Sequence, residues 1–187
     1  RMSRIEPQHG TVTPQTGGAF TSGLHEPFST STLLDPAWQV VEPGVEVIGR
    51  YSNGAVAAAA KHTSSGLRVY LGAVNCPAQL LRNILKQSGV HVYIESNDMV
   101  LTDGRFLSIT STAEAGLPTE EELNSGSYSF SPVRERARSR QKQLSFPRSV
   151  DVFDALTGEE VARHVTRLNV ALELGETLMY QLRSASH

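Results

Sequence analysis

Residues 49–93, GRYSNGAVAAAAKHTSSGLRVYLGAVNCPAQLLRNILKQSGVHVY, contain the turn signals and apolar runs that decide the fold. The turn residues Ser52-Asn53-Gly54 and Ser64-Ser65-Gly66 enclose the short segment 55–62, AVAAAAKH. Alanine is the best helix former, so composition alone favours a helix in this segment. The segment is short for a helix, however, and the β-prone run RVYLGAV follows the second turn. We therefore predict a β-hairpin, in which alanine permits close packing of a covering layer.

The segment 76–89, CPAQLLRNILKQSG, predicts an amphipathic helix. Pro77 suits the first helical position, where its missing N–H costs nothing, and Gly89 suits the left-handed residue that follows a helix. The apolar positions recur at helical spacing and form one stripe, which consists of Leu80, Leu81, Ile84 and Leu85. The next residues, VHVYIES, alternate with period two and predict a strand.

Around this centre the sequence divides into four predicted segments. Residues 1–36 are rich in Gly, Pro, Ser and Thr, so we expect a loop-rich lead-in with at most one short strand. Residues 37–112 carry the predicted pattern β-β-β-β-α-β-β-β, and residues 113–145 form a polar linker with two charge runs. Residues 146–187 contain β-prone runs separated by turn signals, and we expect them to form an antiparallel meander in a small sheet.

Composition excludes several classes of partner. The formal net charge is −2 at pH 7, so the chain has no general attraction for nucleic acid or for an anionic membrane. No apolar run approaches the ~18 residues of a membrane-spanning helix, and the opening RMSRIEPQHG lacks the apolar centre of a signal peptide. We expect a soluble protein of unknown compartment. The position of Arg1 before Met2 suggests a fragment of a longer protein.

Cys76 is the sharpest candidate for chemistry, because it lies between a predicted strand and the start of the predicted helix. A thiolate at a helix N-terminus is stabilised by the dipole and by free N–H groups. A nucleophile elbow, however, has small neighbours and a following N–H, whereas Cys76 lies between Asn75 and Pro77. As the single cysteine it also cannot form an internal disulfide or a cysteine zinc cage. We expect a structural role.

The histidines and glycines match no binding motif. No two histidines have i,i+4 spacing, and neither HExxH, GxGxxG nor GxxxxGK[ST] occurs. His62 and His91 lie in predicted strands, where a hydrogen-bonded structural histidine is commoner than a ligand or a base. We therefore predict no metal-binding residues, no cofactor-binding residues and no cofactor.

The runs of charged residues are assigned to the surface. Glutamates 120–122 and 159–160 are typical of a solvated face, because a glycosidase needs two carboxylates at a fixed distance on rigid elements. Asp98 and Asp103 flank a short predicted strand and suit turns. The basic run 134–142 could contact phosphate, but it has no aromatic residues between its charges. We predict no catalytic residues.

Two stretches resemble the C-terminal region of the large β-galactosidases of glycoside hydrolase family 42. Residues 49–93 resemble the closing half of their glutamine-amidotransferase-like trimerisation domain, in which a strand ends in Tyr51 and a VYLG strand, 69–72, precedes the helix. Residues 149–182 resemble their small C-terminal β-domain, with a turn at Asp154 and a closing GETLMYQL strand. The two stretches follow each other in the family's order.

The resemblance implies an α/β fold, with a partial amidotransferase-like sheet and few helices, followed by a small antiparallel β-domain. It implies a non-catalytic accessory and oligomerisation region, because the (β/α)₈ barrel that carries the two catalytic glutamates is absent from this sequence. The family's nucleophile elbow is missing too, and Cys76 is not at its position. The implied partners are a catalytic barrel domain or a neighbouring subunit of a homo-oligomer, with no nucleic acid and no membrane.

Two alternatives stay open. One is a free-standing cysteine-dependent hydrolase or amidotransferase-like enzyme that uses Cys76. The other is a carbohydrate-binding β-module, although Trp38 is the single tryptophan and aromatic residues make up only 6% of the chain. The predicted strands 55–60, 68–74 and 90–96 offer more apolar surface than one helix can bury. The second covering layer must come from the lead-in, from the C-terminal strands or from another polypeptide, and we favour another polypeptide.

Overall fold

The computed structural model describes residues 1–72, 75–112 and 141–185. Two compact units divide the chain between Val92 and Tyr93. Most of the predicted linker 113–145 lies outside the described residues, and residues 141–145 begin a long strand.

The first unit is built from short antiparallel strands and a helix. Its elements are β1 (Met2–Ile5), β2 (Gln8–His9), β3 (Thr13–Pro14), β4 (Leu33–Leu34), β5 (Ala37–Val40), β6 (Glu46–Arg50), β7 (Val56–Thr63), β8 (Gly66–Leu71) and α1 (Ala78–Gln87). The main sheet has the order β3-β6-β7-β8, while β1 pairs with β5 and β2 pairs with β4. The strands of each pair are antiparallel.

The predicted hairpin is confirmed, since β7 and β8 pair through the turn before Gly66. All four alanines from Ala57 to Ala60 are buried, and successive side chains on a strand point to opposite faces. Both faces of β7 are therefore covered within this chain. The lead-in provides part of the cover, because Val12, Phe20 and Phe28 lie in the same buried cluster as Ala57. No other polypeptide is needed to bury this strand.

Helix α1 follows the predicted signals closely. Pro77 is the N-cap, one position before the first helical residue, and Gly89 takes the left-handed conformation with φ +77°. The amide of Gly89 donates to Lys86 O and the amide of Val90 donates to Leu85 O. These hydrogen bonds satisfy carbonyl oxygens that have no donor within the helix. Leu80 is fully buried. No helix among the described residues is long and apolar enough to cross a membrane.

The α/β prediction for the middle of the chain is wrong: the described residues form a mostly β protein with antiparallel sheets and one helix. A parallel α/β sheet requires a strand that returns beside the first one after the helix. Residues 90–96, which alternate like a strand, do not form one. Instead Tyr93 and Ile94 pack in the core of the second unit.

The second unit is a five-stranded antiparallel sheet. Its strands are β9 (Met99–Thr102), β10 (Phe106–Thr110), β11 (Gln141–Asp154), β12 (Glu160–Ala171) and β13 (Thr177–Ser184). The order β12-β11-β13-β10-β9 places β11 between β12 and β13. The expected meander, in which each strand pairs with the next along the chain, is therefore not what forms. Strands β9 and β10 belong to the segment 37–112 that the sequence pattern predicted as one unit, but they pair in this sheet of the second unit.

Strand β11 contains an irregularity that interrupts its pairing with β12. The register shifts between Ser145, which faces Arg167, and Val150, which faces Val165. Pro147 lies inside this interval, where its missing N–H removes no ladder hydrogen bond. Residues from both sides of the irregularity, including Leu144 and Val152, belong to one buried cluster.

Candidate functional site

Cys76 lies where the sequence predicted it, just before α1, but its environment does not activate it. The residue is exposed, and its Sγ contacts the carbonyl oxygen of Pro77 at 3.7 Å. Partial burial of the thiol raises its pKa above the ordinary value. A raised pKa lowers the fraction of thiolate at neutral pH, which is the opposite of what a cysteine nucleophile requires.

A buried ion pair in the second unit joins two residues that the sequence had assigned to other roles. Lys142 Nζ lies 2.9 Å from Asp98 Oδ2, and the exposed fractions of the two side chains are 7% and 0%. Asp98 also accepts hydrogen bonds from the hydroxyl of Ser96 and from the backbone N–H of Thr112. The prediction that Asp98 is only a turn residue is therefore wrong, and Lys142 is not part of a basic surface.

The surroundings of Asp98 favour its ionised form. Burial disfavours ionisation of Asp98, but the hydrogen bonds from Ser96, Lys142 and Thr112 outweigh burial and hold its pKa below the ordinary value. Lys142 occupies an inward position of β11, where Leu144 and Phe146 follow at period two. A lysine is rarely buried unless it is paired with an acidic side chain. Its inward position on a strand is therefore the sequence signal that could have indicated a buried carboxylate partner.

Two other aspartates fulfil turn roles. Asp103 Oδ1 accepts hydrogen bonds from the amides of Arg105 and Phe106 at 2.8 and 2.7 Å, so its prediction is confirmed. Asp154 Oδ1 accepts from the amides of Leu156 and Thr157, both at 2.8 Å. These hydrogen bonds lower the pKa of both carboxyls. Carboxylates used in this way stabilise the turns between strands.

The remaining predicted groups are scattered. Glu160 pairs with Arg163 on an exposed part of β12, as a solvated face requires. His62 is exposed on β7, whereas His91 lies outside any strand. Glutamates 120–122 and most of the basic run 134–142 fall outside the described residues. Within the described ranges, no three residues of the His, Cys, Asp and Glu types lie close enough together to hold a metal ion.

The residues that carry the family resemblance in the first unit pack against each other. The Tyr51 hydroxyl lies 3.1 Å from Gly72 O and 3.3 Å from Trp38 O. A Cβ atom on Gly72 would lie 2.4 Å from the Tyr51 hydroxyl oxygen and 2.8 Å from Ala57 O. Glycine is therefore required at position 72 by close packing. The Tyr and Gly of the pattern therefore serve the packing of the first unit.

The second unit carries a face with exposed apolar side chains, which we call the outer face. It is formed by alternate residues of β9, β10 and β13. Ser108 on β10 lies opposite Leu101 on one side and Met179 on the other, so these residues share a face. The exposed fractions are 61% for Leu101, 41% for Met179, 44% for Phe106 and 49% for Met99. Their neighbours Leu107 and Ile109 point inward and are buried.

No protein-family model and no curated protein matches the sequence. Among solved structures, the chain is similar to the cold-adapted β-galactosidase from Rahnella sp. R3, with 15% sequence identity and a TM-score of 0.48. The alignment covers 96% of this chain and 24% of that chain, so this sequence spans about a quarter of the enzyme. At this identity and TM-score the similarity establishes neither a family nor a function.

Proposed function

We propose that this chain is a non-catalytic accessory and oligomerisation module of a glycoside-hydrolase-like protein. The resemblance of residues 49–93 and 149–182 to family 42 β-galactosidases supports the class of parent protein. The close packing of Tyr51 against Gly72 supports a scaffolding role for the first stretch. In this proposal the hydrolytic activity resides in another domain, and the present module supports the assembly.

The outer face is the observation that carries the proposal. Leu101, Phe106 and Met179 are each more than two-fifths exposed on one face of a sheet whose other face is packed. Several exposed apolar side chains on one face of a sheet mark an interaction site more often than a single exposed residue does. We assign this face to a second copy of the same chain, because the resemblance of residues 49–93 to a trimerisation domain implies a parent protein that self-associates.

The cysteine-dependent alternative is less well supported. A nucleophilic cysteine needs a lowered pKa and a base within hydrogen-bond reach. Cys76 has a raised pKa, and its hydrogen-bond partner among the described residues is a backbone oxygen, Pro77 O. Pro77 also supplies no N–H that could stabilise an oxyanion. These features support a structural thiol.

The carbohydrate-binding alternative lacks a platform in the described residues. Sugar-binding surfaces usually present several exposed aromatic side chains together. Among the described residues, Trp38 and Phe106 are the exposed aromatic side chains, and they belong to different units. Within the described ranges each unit therefore offers one exposed aromatic ring, which is a poor basis for stacking on an oligosaccharide.

Size-exclusion chromatography with light scattering tests the assignment of the outer face. The double variant Leu101→Ser/Met179→Ser removes two apolar side chains from this face without touching the core. Leu174→Ser is a matched control, because Leu174 is 51% exposed but lies in the turn that follows β12. We expect the double variant to be monomeric while the control associates like the natural sequence. Equal association of all three proteins would contradict the assignment.

A further inference from the structure

We draw no further inference here: the strongest candidate, the buried Asp98–Lys142 ion pair of the second unit, carries nothing because it belongs to the polar cluster already described, in which Ser96 and Thr112 hold it in a structural role.

Discussion

Lys142 Nζ lies 2.9 Å from Asp98 Oδ2, and the two side chains are almost fully buried. The pair joins the start of β11 to the residues that lead into β9, which are far apart in sequence. Thr112 adds a third segment, because its amide donates to Asp98 Oδ1 and its hydroxyl donates to Asn97 O. One carboxylate thus fixes three parts of the second unit.

Removing one partner of this pair should destabilise the chain strongly. Asp98→Asn leaves the charge of Lys142 buried without its counter-ion, and breaking a buried pair in this way costs roughly 3–5 kcal/mol. Replacing both residues, in Asp98→Asn/Lys142→Met, removes the stranded charge and should recover a large part of the loss. Urea unfolding followed by circular dichroism measures these differences.

An exposed pair provides the control. Glu42 lies beside Lys61 with about a third of each side chain exposed. Glu42→Gln should lower the free energy of unfolding by about 1 kcal/mol or less, as for other surface pairs. If Asp98→Asn were as mild as Glu42→Gln, the buried pair would have no special role in the second unit.

Stability should fall at acidic pH, in part because of Asp98. Its pKa in the folded chain lies below the ordinary value of 3.8, so the unfolded state binds more protons in the window below that pH. The stabilisation that ionised Asp98 contributes is complete above pH 3.8. It is lost as the pH falls through the lower pKa that Asp98 has in the folded chain. The Asp98→Asn/Lys142→Met variant should show a shallower acid dependence of its unfolding free energy. If the unfolding free energies of the natural sequence and the double variant fell equally with decreasing pH, Asp98 would make no such contribution.

Gly72→Ala should destabilise the first unit by about 1–3 kcal/mol, the usual range for overpacking. The added methyl group would lie 2.4 Å from the Tyr51 hydroxyl oxygen and 2.8 Å from Ala57 O. Tyr51→Phe removes the first contact but not the second, so it should rescue Gly72→Ala only in part. Thermal unfolding of the two single variants and the double variant measures this coupling. A Gly72→Ala protein as stable as the natural one would contradict the packing argument.

Cys76→Ala should change stability by no more than about 0.5 kcal/mol, since the residue is exposed. The rate of alkylation by iodoacetamide, measured against pH, reports the pKa of the thiol. We expect a pKa above that of a free cysteine, because partial burial disfavours the thiolate. Rapid alkylation at acidic pH would instead restore the cysteine-enzyme hypothesis.

Local signals in the sequence predicted local structure well. The turn residues around β7 identified its hairpin, although alanine composition favoured a helix, because the segment between the turns is too short for one. Gly89 identified the end of α1 through its left-handed conformation. In each of these cases the structure depends on a few neighbouring residues.

Contacts between distant segments were not predictable in the same way. Val12, Phe20 and Phe28 stand among polar turn residues, so nothing local showed that they cover the alanine strand. The apolar alternation of residues 90–96 predicted a strand, but these residues form none, and Tyr93 and Ile94 pack in the core of the second unit. Lys142 and Asp98 each had a plausible local role, and only their proximity in the fold shows that they pair.

Sedimentation velocity of the natural sequence over a range of concentrations tests the central claim most directly. An oligomerisation module should show a sedimentation coefficient that rises with concentration toward a single larger species. That behaviour should weaken in Leu101→Ser/Met179→Ser, because the outer face loses apolar surface. A monomer that persists at high micromolar concentration and does not bind a hydrophobic dye would contradict the proposed self-association.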